Sequence, residues 1–166
     1  GDDMILKRMK RRHLRADAIQ FCETARKLRP DLVLGADFIA GFPTESDEMF
    51  QRSLDIVDEC GLTFLHVFPF SPRKGTPAAR MPQVARAIVK ERAASFRAKG
   101  EHVRDKFLSS QTGSKHAVLM ERDGMGRTPH FAEINVAGAA SATAGDIITA
   151  RVTGFANGQL VGEVCA

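Results

Sequence analysis

The loop at residues 41–45 is the first candidate binding site. Gly41 allows a ligand to approach the backbone closely, and Glu45 adds a carboxylate. Ser46 can cap a following helix whose first N–H groups have no partner within the helix and can face an anion or a polar ligand. Turns of this composition are common in proteins, so the loop alone assigns no ligand.

A second loop, residues 69–76, combines two hydroxyls with two cations. Its chemistry is carried by Ser71, Arg73, Lys74 and Thr76. This set suits an anionic substrate, and it equally suits a solvated surface loop.

Asp37 lies inside an apolar run at residues 32–40. Burying an ionised carboxylate costs several kcal/mol unless a partner compensates it. We therefore expect either a buried ion pair with an arginine or a role facing a ligand. His66, in the apolar run 64–68, is expected to be a satisfied core histidine.

A basic run near the start has no acid within it. It comprises Lys7, Arg8, Lys10, Arg11, Arg12 and Arg15, with His13 among them. The pattern predicts a solvated helix face, and a phosphate-facing patch is the alternative.

The elements that would position these groups follow a β-α-β order. Apolar residues at helical spacing over 18–28 predict a helix that Pro30 ends. The runs 32–40 and 64–68 predict buried strands, with a helix after Ser46 between them that stops at Gly61. Two such strands should be parallel, and both candidate loops then follow their carboxyl ends, where α/β sheets bind ligands.

The remainder predicts a long loop to residue 82, a charged helix over about 82–108 and a β-rich tail. Short strands are expected at 117–120, 131–135, 147–152 and 160–164, which indicates a small barrel or sandwich. Residues 1–108 carry the positive charge and 109–166 are nearly neutral, so we place a domain boundary near residue 109.

Composition excludes several classes of protein. The chain has 166 residues, 43% of them hydrophobic and 27% charged, which excludes disorder, and it is too short for a complete (β/α) barrel. A charged start and the lack of a run of ~20 apolar residues predict a cytoplasmic protein without a membrane span. The 3 cysteines form no disulfide set, and we find no catalytic triad, metal-ligand cluster or phosphate loop of the Walker type.

Three segments, in order and at matching spacing, resemble the C-terminal half of the radical-SAM methylthiotransferases. They are Met9-Lys10-Arg11-Arg12-His13, residues 35–45 from Gly35-Ala36-Asp37 to Thr44-Glu45, and residues 66–79 beginning His66-Val67-Phe68-Pro69-Phe70-Ser71. The tail resembles the TRAM domain, a small β-barrel associated with RNA binding. The resemblance implies the second half of a radical-SAM α/β partial barrel at 1–108 and a TRAM-like barrel at 109–166.

The sequences of the first and third segments most resemble those of the branch that adds a methylthio group to threonylcarbamoyladenosine beside the tRNA anticodon. The resemblance implies binding of S-adenosylmethionine by Arg11, Asp37, Gly41, Phe42, Glu45 and Phe68. For the tRNA substrate we select Ser71, Arg73, Lys115 and Arg127.

The chain departs from the family in its cysteines. The three-cysteine motif that holds the radical-generating 4Fe-4S cluster is absent, and Cys22, Cys60 and Cys165 are too far apart in sequence to replace it. We therefore expect a fragment that is inactive alone, holds no cluster, and has as partners tRNA and the missing N-terminal half of the same polypeptide.

Several alternatives stay open at this stage. The chain could be a non-catalytic RNA-binding module, or belong to a branch that modifies another adenosine or a ribosomal-protein aspartate. An α/β enzyme half unrelated to radical chemistry is a further possibility, but it would have to explain three matching segments in order.

Overall fold

The structure is a computed structural model that describes residues 1–165. It contains two compact units, Gly1–Gly100 and the residues from Glu101 on. This division lies inside a helix, and the domain boundary near residue 109 stays a prediction. The last residue of the predicted tail, 166, lies outside the described residues.

The first unit contains four helices and two strands, as the sequence largely predicts. They are α1 Asp3–Arg8, α2 Arg15–Leu28, β1 Gly35–Ala40, α3 Asp47–Glu59, β2 Phe64–Pro69 and the first part of α4 Arg86–Ser110, with a short 3-10 turn at Ala78–Arg80. The Ser46 side chain caps α3 by accepting a hydrogen bond of 3.3 Å from the Met49 N–H. Asp47 and Glu48 then place negative charge at the positive end of this helix.

Strands β1 and β2 are parallel, which confirms the β-α-β prediction. Phe38 and Ala40 point into the core, where the Phe38 ring centroid lies 4.7 Å from that of Phe96 on α4. Asp37 and Ile39 alternate with them and are exposed. The prediction that 32–40 is buried throughout is therefore wrong, because residues 1–165 bury only one face of this sheet.

The basic run does not form one helix face, so that prediction is also wrong. Helix α1 ends at Arg8, and Lys10 takes the left-handed conformation with φ of 56°, which breaks the helix. A new helix starts at Arg15, after the Leu14 N–H donates to the Asp17 carboxylate at 2.7 Å. The cations between the two helices therefore lie on a turn.

The second unit contains the end of α4 and a closed five-stranded barrel. Its strands are β3 Lys115–Arg122, β4 Met125–Arg127, β5 Glu133–Ala137, β6 Ile147–Ala156 and β7 Gln159–Val164, in the order β3-β4-β5-β7-β6. The closed sheet confirms the small all-β tail. The interior is apolar, with Val118, Met120, Ile134, Val152 and Leu160 each at most 1% exposed.

Two local features of the barrel differ from the prediction. Strand β4 was not predicted, because a stretch of three residues with a central glycine carries little strand signal. Phe131, predicted to begin a strand, instead lies in the turn before β5 and has a φ of 65°.

Candidate functional site

An open cleft of about 960 Å³ lies beside β1, between this strand and residues of the surrounding helices. Its lining includes Arg11 and His13 from the basic turn, Asp37 and Ile39 from β1, and His66 from β2. The two strands and the basic turn thus bring together groups that are far apart in the sequence.

Asp37 and His66 are neighbours across the two strands. They are register partners, so both side chains project from the same, open face of the sheet. Both are exposed, and no hydrogen bond or ion pair joins either side chain to another of residues 1–165. The expected buried ion pair of Asp37 and the expected core position of His66 are therefore wrong. A carboxylate and an imidazole remain available to a ligand in the cleft.

The basic turn, residues 9–14, is anchored at both ends. The Arg8 guanidinium donates to the Thr44 hydroxyl at 2.6 Å. Arg15 donates to the Arg52 carbonyl at 2.5 Å and forms an ion pair of 2.5 Å with Glu59. These contacts attach the turn to the loop at 41–45 and to α3.

Between these anchors the cations are free of acids. Lys10, Arg11, Arg12 and His13 are all exposed, and none pairs with an acid within the described part of the chain. Three permanent positive charges therefore stand together at the edge of the cleft. This arrangement can attract a polyanion, and phosphate groups in particular.

Glu45 forms a buried network rather than a free binding group. Its carboxylate accepts from the Gly41 N–H at 3.0 Å and from Arg92 at 2.9 Å. Arg92 also reaches Asp47 at 2.6 Å. Burial raises the pKa of Glu45 above its usual value, while the Gly41 N–H and the positive charge of Arg92 offset part of that shift. The network fixes the loop between β1 and α3.

Sequence reasoning missed Arg92, although a signal was present. Arg92 lies three residues after Val89 and four before Phe96, on the stripe of α4 that is buried in the first unit. A cation on such a stripe needs a buried acid as partner.

The remaining predicted cofactor residues occupy different environments. Gly41, with φ of 73°, and Phe42 are buried, and the Phe42 ring packs edge-on to Phe70 at 5.2 Å. Phe68 is 53% exposed and is the register partner of Ile39 on the open face. Their contact with a cofactor, like that of Arg11, Asp37 and Glu45, stays a prediction.

The predicted substrate residues are divided between the two units. Ser71 and Arg73 are exposed on the loop after β2. In the second unit Lys115 is exposed at the start of β3. Arg127 instead forms ion pairs of 2.9 Å with both Glu121 and Glu133. Their roles in substrate binding stay predictions.

The structure brings two of the cysteines together. The thiols of Cys22 and Cys60 are buried, and each lines the floor of the cleft. Burial, together with a hydrogen bond between its thiol and Cys22, raises the pKa of the Cys60 thiol to about 11. Two buried thiols are too few for an iron–sulfur cluster, and residues 1–165 contain no group of three His, Cys, Asp or Glu side chains placed to hold a metal ion.

None of the described helices is both long and apolar enough to span a membrane.

Known proteins match the chain along most of its length. It is 49% identical over 136 residues, 82% of its length, to a threonylcarbamoyladenosine tRNA methylthiotransferase of Rickettsia prowazekii. It is 35% identical over 171 residues, 99% of its length, to a tRNA-2-methylthio-N(6)-dimethylallyladenosine synthase of Rickettsia felis. A synthase of the same description from Bartonella bacilliformis is 32% identical over 98% of the chain.

The matches cover between 32% and 38% of the length of these relatives. No protein-family model matches the chain.

Proposed function

The chain belongs to the radical-SAM methylthiotransferase family, and from this premise we propose that it is part of an enzyme that adds a methylthio group to threonylcarbamoyladenosine in tRNA. The higher identity to the relative named for that nucleoside, 49% against 35% and 32%, favours this branch. We propose that the reaction takes place in the cytoplasm, where the tRNA is located.

The observation that carries the proposal is the placement of the basic turn. Arg11 lines the same cleft as Asp37 and His66, and its neighbours on the turn, Lys10 and Arg12, are exposed and pair with no acid of residues 1–165. A nucleotide of a tRNA loop could enter such a cleft while its phosphates meet the cations. A cleft and a basic turn in one compact unit support an enzyme over a simple RNA-binding module.

The cleft also suits S-adenosylmethionine. The Asp37 carboxylate is free to accept hydrogen bonds from hydroxyl or ammonium groups, and Arg11 can pair with a carboxylate. Phe68, Gly41, Phe42 and Glu45 would complete or support the pocket. When bound, this cofactor supplies the methyl group and, with an iron–sulfur cluster, the radical chemistry of the family.

The cluster itself must come from elsewhere in the enzyme. The buried thiols of Cys22 and Cys60 do not fit it, so we propose that the rest of a longer polypeptide, an N-terminal portion, holds the clusters. The chain by itself is then inactive.

The tRNA part of the proposal is tested by the salt dependence of binding. The variant K10A/R12A should weaken binding of a tRNA anticodon stem-loop and reduce the slope of log affinity against log salt by roughly one to two. The matched control K90A/R97A removes two exposed cations from α4. Equal losses in both variants, or none in K10A/R12A, would contradict the role of the basic turn.

The transfer reaction is tested in a chimera. The chain is joined to the portion of the R. prowazekii relative that it does not cover, and the nucleosides of tRNA treated with the chimera are analysed by mass spectrometry. We expect methylthiolation of threonylcarbamoyladenosine, and its loss in D37N. Transfer to dimethylallyladenosine instead would reject the proposed branch.

A further inference from the structure

Phe131 has two features that are unfavourable for the stability of the barrel: an exposed apolar side chain and an unusual backbone conformation. Its side chain is 74% exposed, the second highest value among the large hydrophobic residues after Leu28. It also has a φ of 65°, a conformation that bulky residues rarely adopt. Neither the exposure nor the unusual backbone conformation improves the packing of the barrel. A binding role would explain why Phe131 occupies this position.

The turn around Phe131 is held by the backbone. The Phe131 N–H donates to the Thr128 carbonyl at 2.9 Å, and the Thr128 N–H donates to the Ala132 carbonyl at 3.0 Å. The Phe131 carbonyl accepts from Arg127 at 3.2 Å. These bonds fix the backbone of the turn and therefore the direction of the Phe131 Cα–Cβ bond.

Arg127 braces the ring. Its guanidinium lies over the ring, 5.5 Å from the centroid. Its ion pairs with Glu121 and Glu133 hold it there and neutralise its charge. One face of the ring is therefore supported by a fixed cation, and the ring is preorganised for a contact on its exposed side.

The surroundings of the ring favour a nucleobase as the occupant. Glu133 accepts from the Gln159 amide at 2.6 Å, so polar groups frame the ring. Two carboxylates close to one guanidinium disfavour a phosphate at this position. The guanidinium and the two carboxylates beside the ring suit a polar, planar base better than the apolar surface of a protein partner.

The geometry points to Phe131 as a stacking platform for an unpaired base of the tRNA, with Arg127 as the residue that positions it. This inference rests on the proposed function. It changes the expected role of Arg127 from direct binding of the tRNA substrate to support of an aromatic ring. Stacking on a phenyl ring tolerates any base, so the site would add affinity for unpaired RNA without reading its sequence.

The test compares variants at Phe131 with a second exposed apolar position. We expect F131L to weaken binding of an anticodon stem-loop RNA by roughly 5- to 100-fold, without changing the salt slope, because stacking involves no phosphate. F131W should bind as tightly as the unsubstituted chain. The control I147A removes an apolar side chain that is 71% exposed on β6, and it should have no effect.

A second probe, a fully paired RNA duplex, separates stacking from general RNA affinity. Its binding should be the same for F131L and the unsubstituted chain. Equal stem-loop affinity in F131L, or an equal loss in I147A, would overturn the stacking role while leaving the proposed function intact. Failure of the unsubstituted chain to bind any tRNA would instead overturn the tRNA part of the proposed function, and this role with it.

Discussion

The two units differ in how they use charge. In the first unit Lys10, Arg11 and Arg12 stand together on one turn without an acid. In the barrel Arg127 forms ion pairs with Glu121 and Glu133, and Arg151 lies opposite Glu163 on the neighbouring strand. Concentrated charge gives long-range attraction to a polyanion, whereas interleaved charge leaves the barrel to bind by shape and stacking. Under the proposed function, one surface would attract RNA and the other would stack with its unpaired bases.

The units also differ in how deeply they bury their ion pairs. This difference predicts the largest change in unfolding free energy among the variants proposed below. Replacing Arg92 with Ala leaves Glu45 buried without its partner, so we expect a loss of about 3–5 kcal/mol in the unfolding free energy of the first unit. Removing Arg127 from its more exposed ion pairs in the barrel should cost less than about 1 kcal/mol. Urea denaturation of R92A and R127A measures both.

A third variant checks the cause of the loss in R92A. In E45Q/R92A the buried group is a neutral amide, which should restore part of the lost stability. Similar losses in R92A and R127A would contradict the distinction between the units.

The second largest expected effect is a loss of stability when a side chain is added inside the tightly packed barrel. A Cβ added at Gly126 would lie 2.5 Å from the Leu119 carbonyl oxygen, on a backbone that closure of the sheet holds in place. We expect G126A to cost roughly 1–3 kcal/mol in the unfolding free energy, measured by thermal denaturation.

Two glycines serve as controls for G126A. Gly154, in the same barrel, has no atom within 4 Å of its added Cβ, so G154A should change stability by less than about 0.5 kcal/mol. Gly35, in the two-stranded sheet, would contact the Phe64 carbonyl at 3.0 Å, and there the neighbouring strand can shift. A loss in G35A as large as that in G126A would show the open sheet to be equally rigid.

The smallest expected effect is that of acidification, which should lower the unfolding free energy of the barrel more than that of the first unit. Burial, and then the nearby His130, lower the pKa of His116 below its usual value of 6.5. The unfolded chain therefore binds this proton more readily than the folded one, so the contribution of His116 to stability is present above pH 6.5 and falls as the pH drops through its folded pKa.

Denaturation curves between pH 7.5 and 5 measure this loss. The variant H116N should flatten the pH dependence of the barrel, whereas H66N, at an exposed position in the first unit, should not change it. An unchanged slope in H116N would assign the pH dependence to other groups.

Local signals in the sequence predicted much of the fold. Ser46 and its following acids specified the start of α3, and Pro30 the end of α2, because caps and helix breakers act within a few residues. The open face of β1 could not be predicted, because an apolar run does not tell which of its two faces another element covers.

The candidate site was predicted only in part. Asp37 and Arg11 were selected, and both line the cleft, but the ion pair of Glu45 with Arg92 joins residues 47 positions apart. The left-handed conformation at Lys10 could not be predicted, because neither glycine nor asparagine, the residues that most often adopt it, stands at this position. Likewise, the exposure of Phe131 depends on a turn that backbone hydrogen bonds between residues 128 and 132 impose on an ordinary β-forming residue.

The paired thiols of Cys22 and Cys60 have a practical consequence for spectroscopy. Both are buried, and the thiolate that reacts with maleimides is scarce at Cys60 at neutral pH. Cys165 is partly exposed, just after the last strand of the barrel, and its backbone N–H is bonded to Thr149. The native chain thus directs a thiol-reactive fluorophore to its barrel, where a change in emission would report the arrival of RNA without any engineered cysteine.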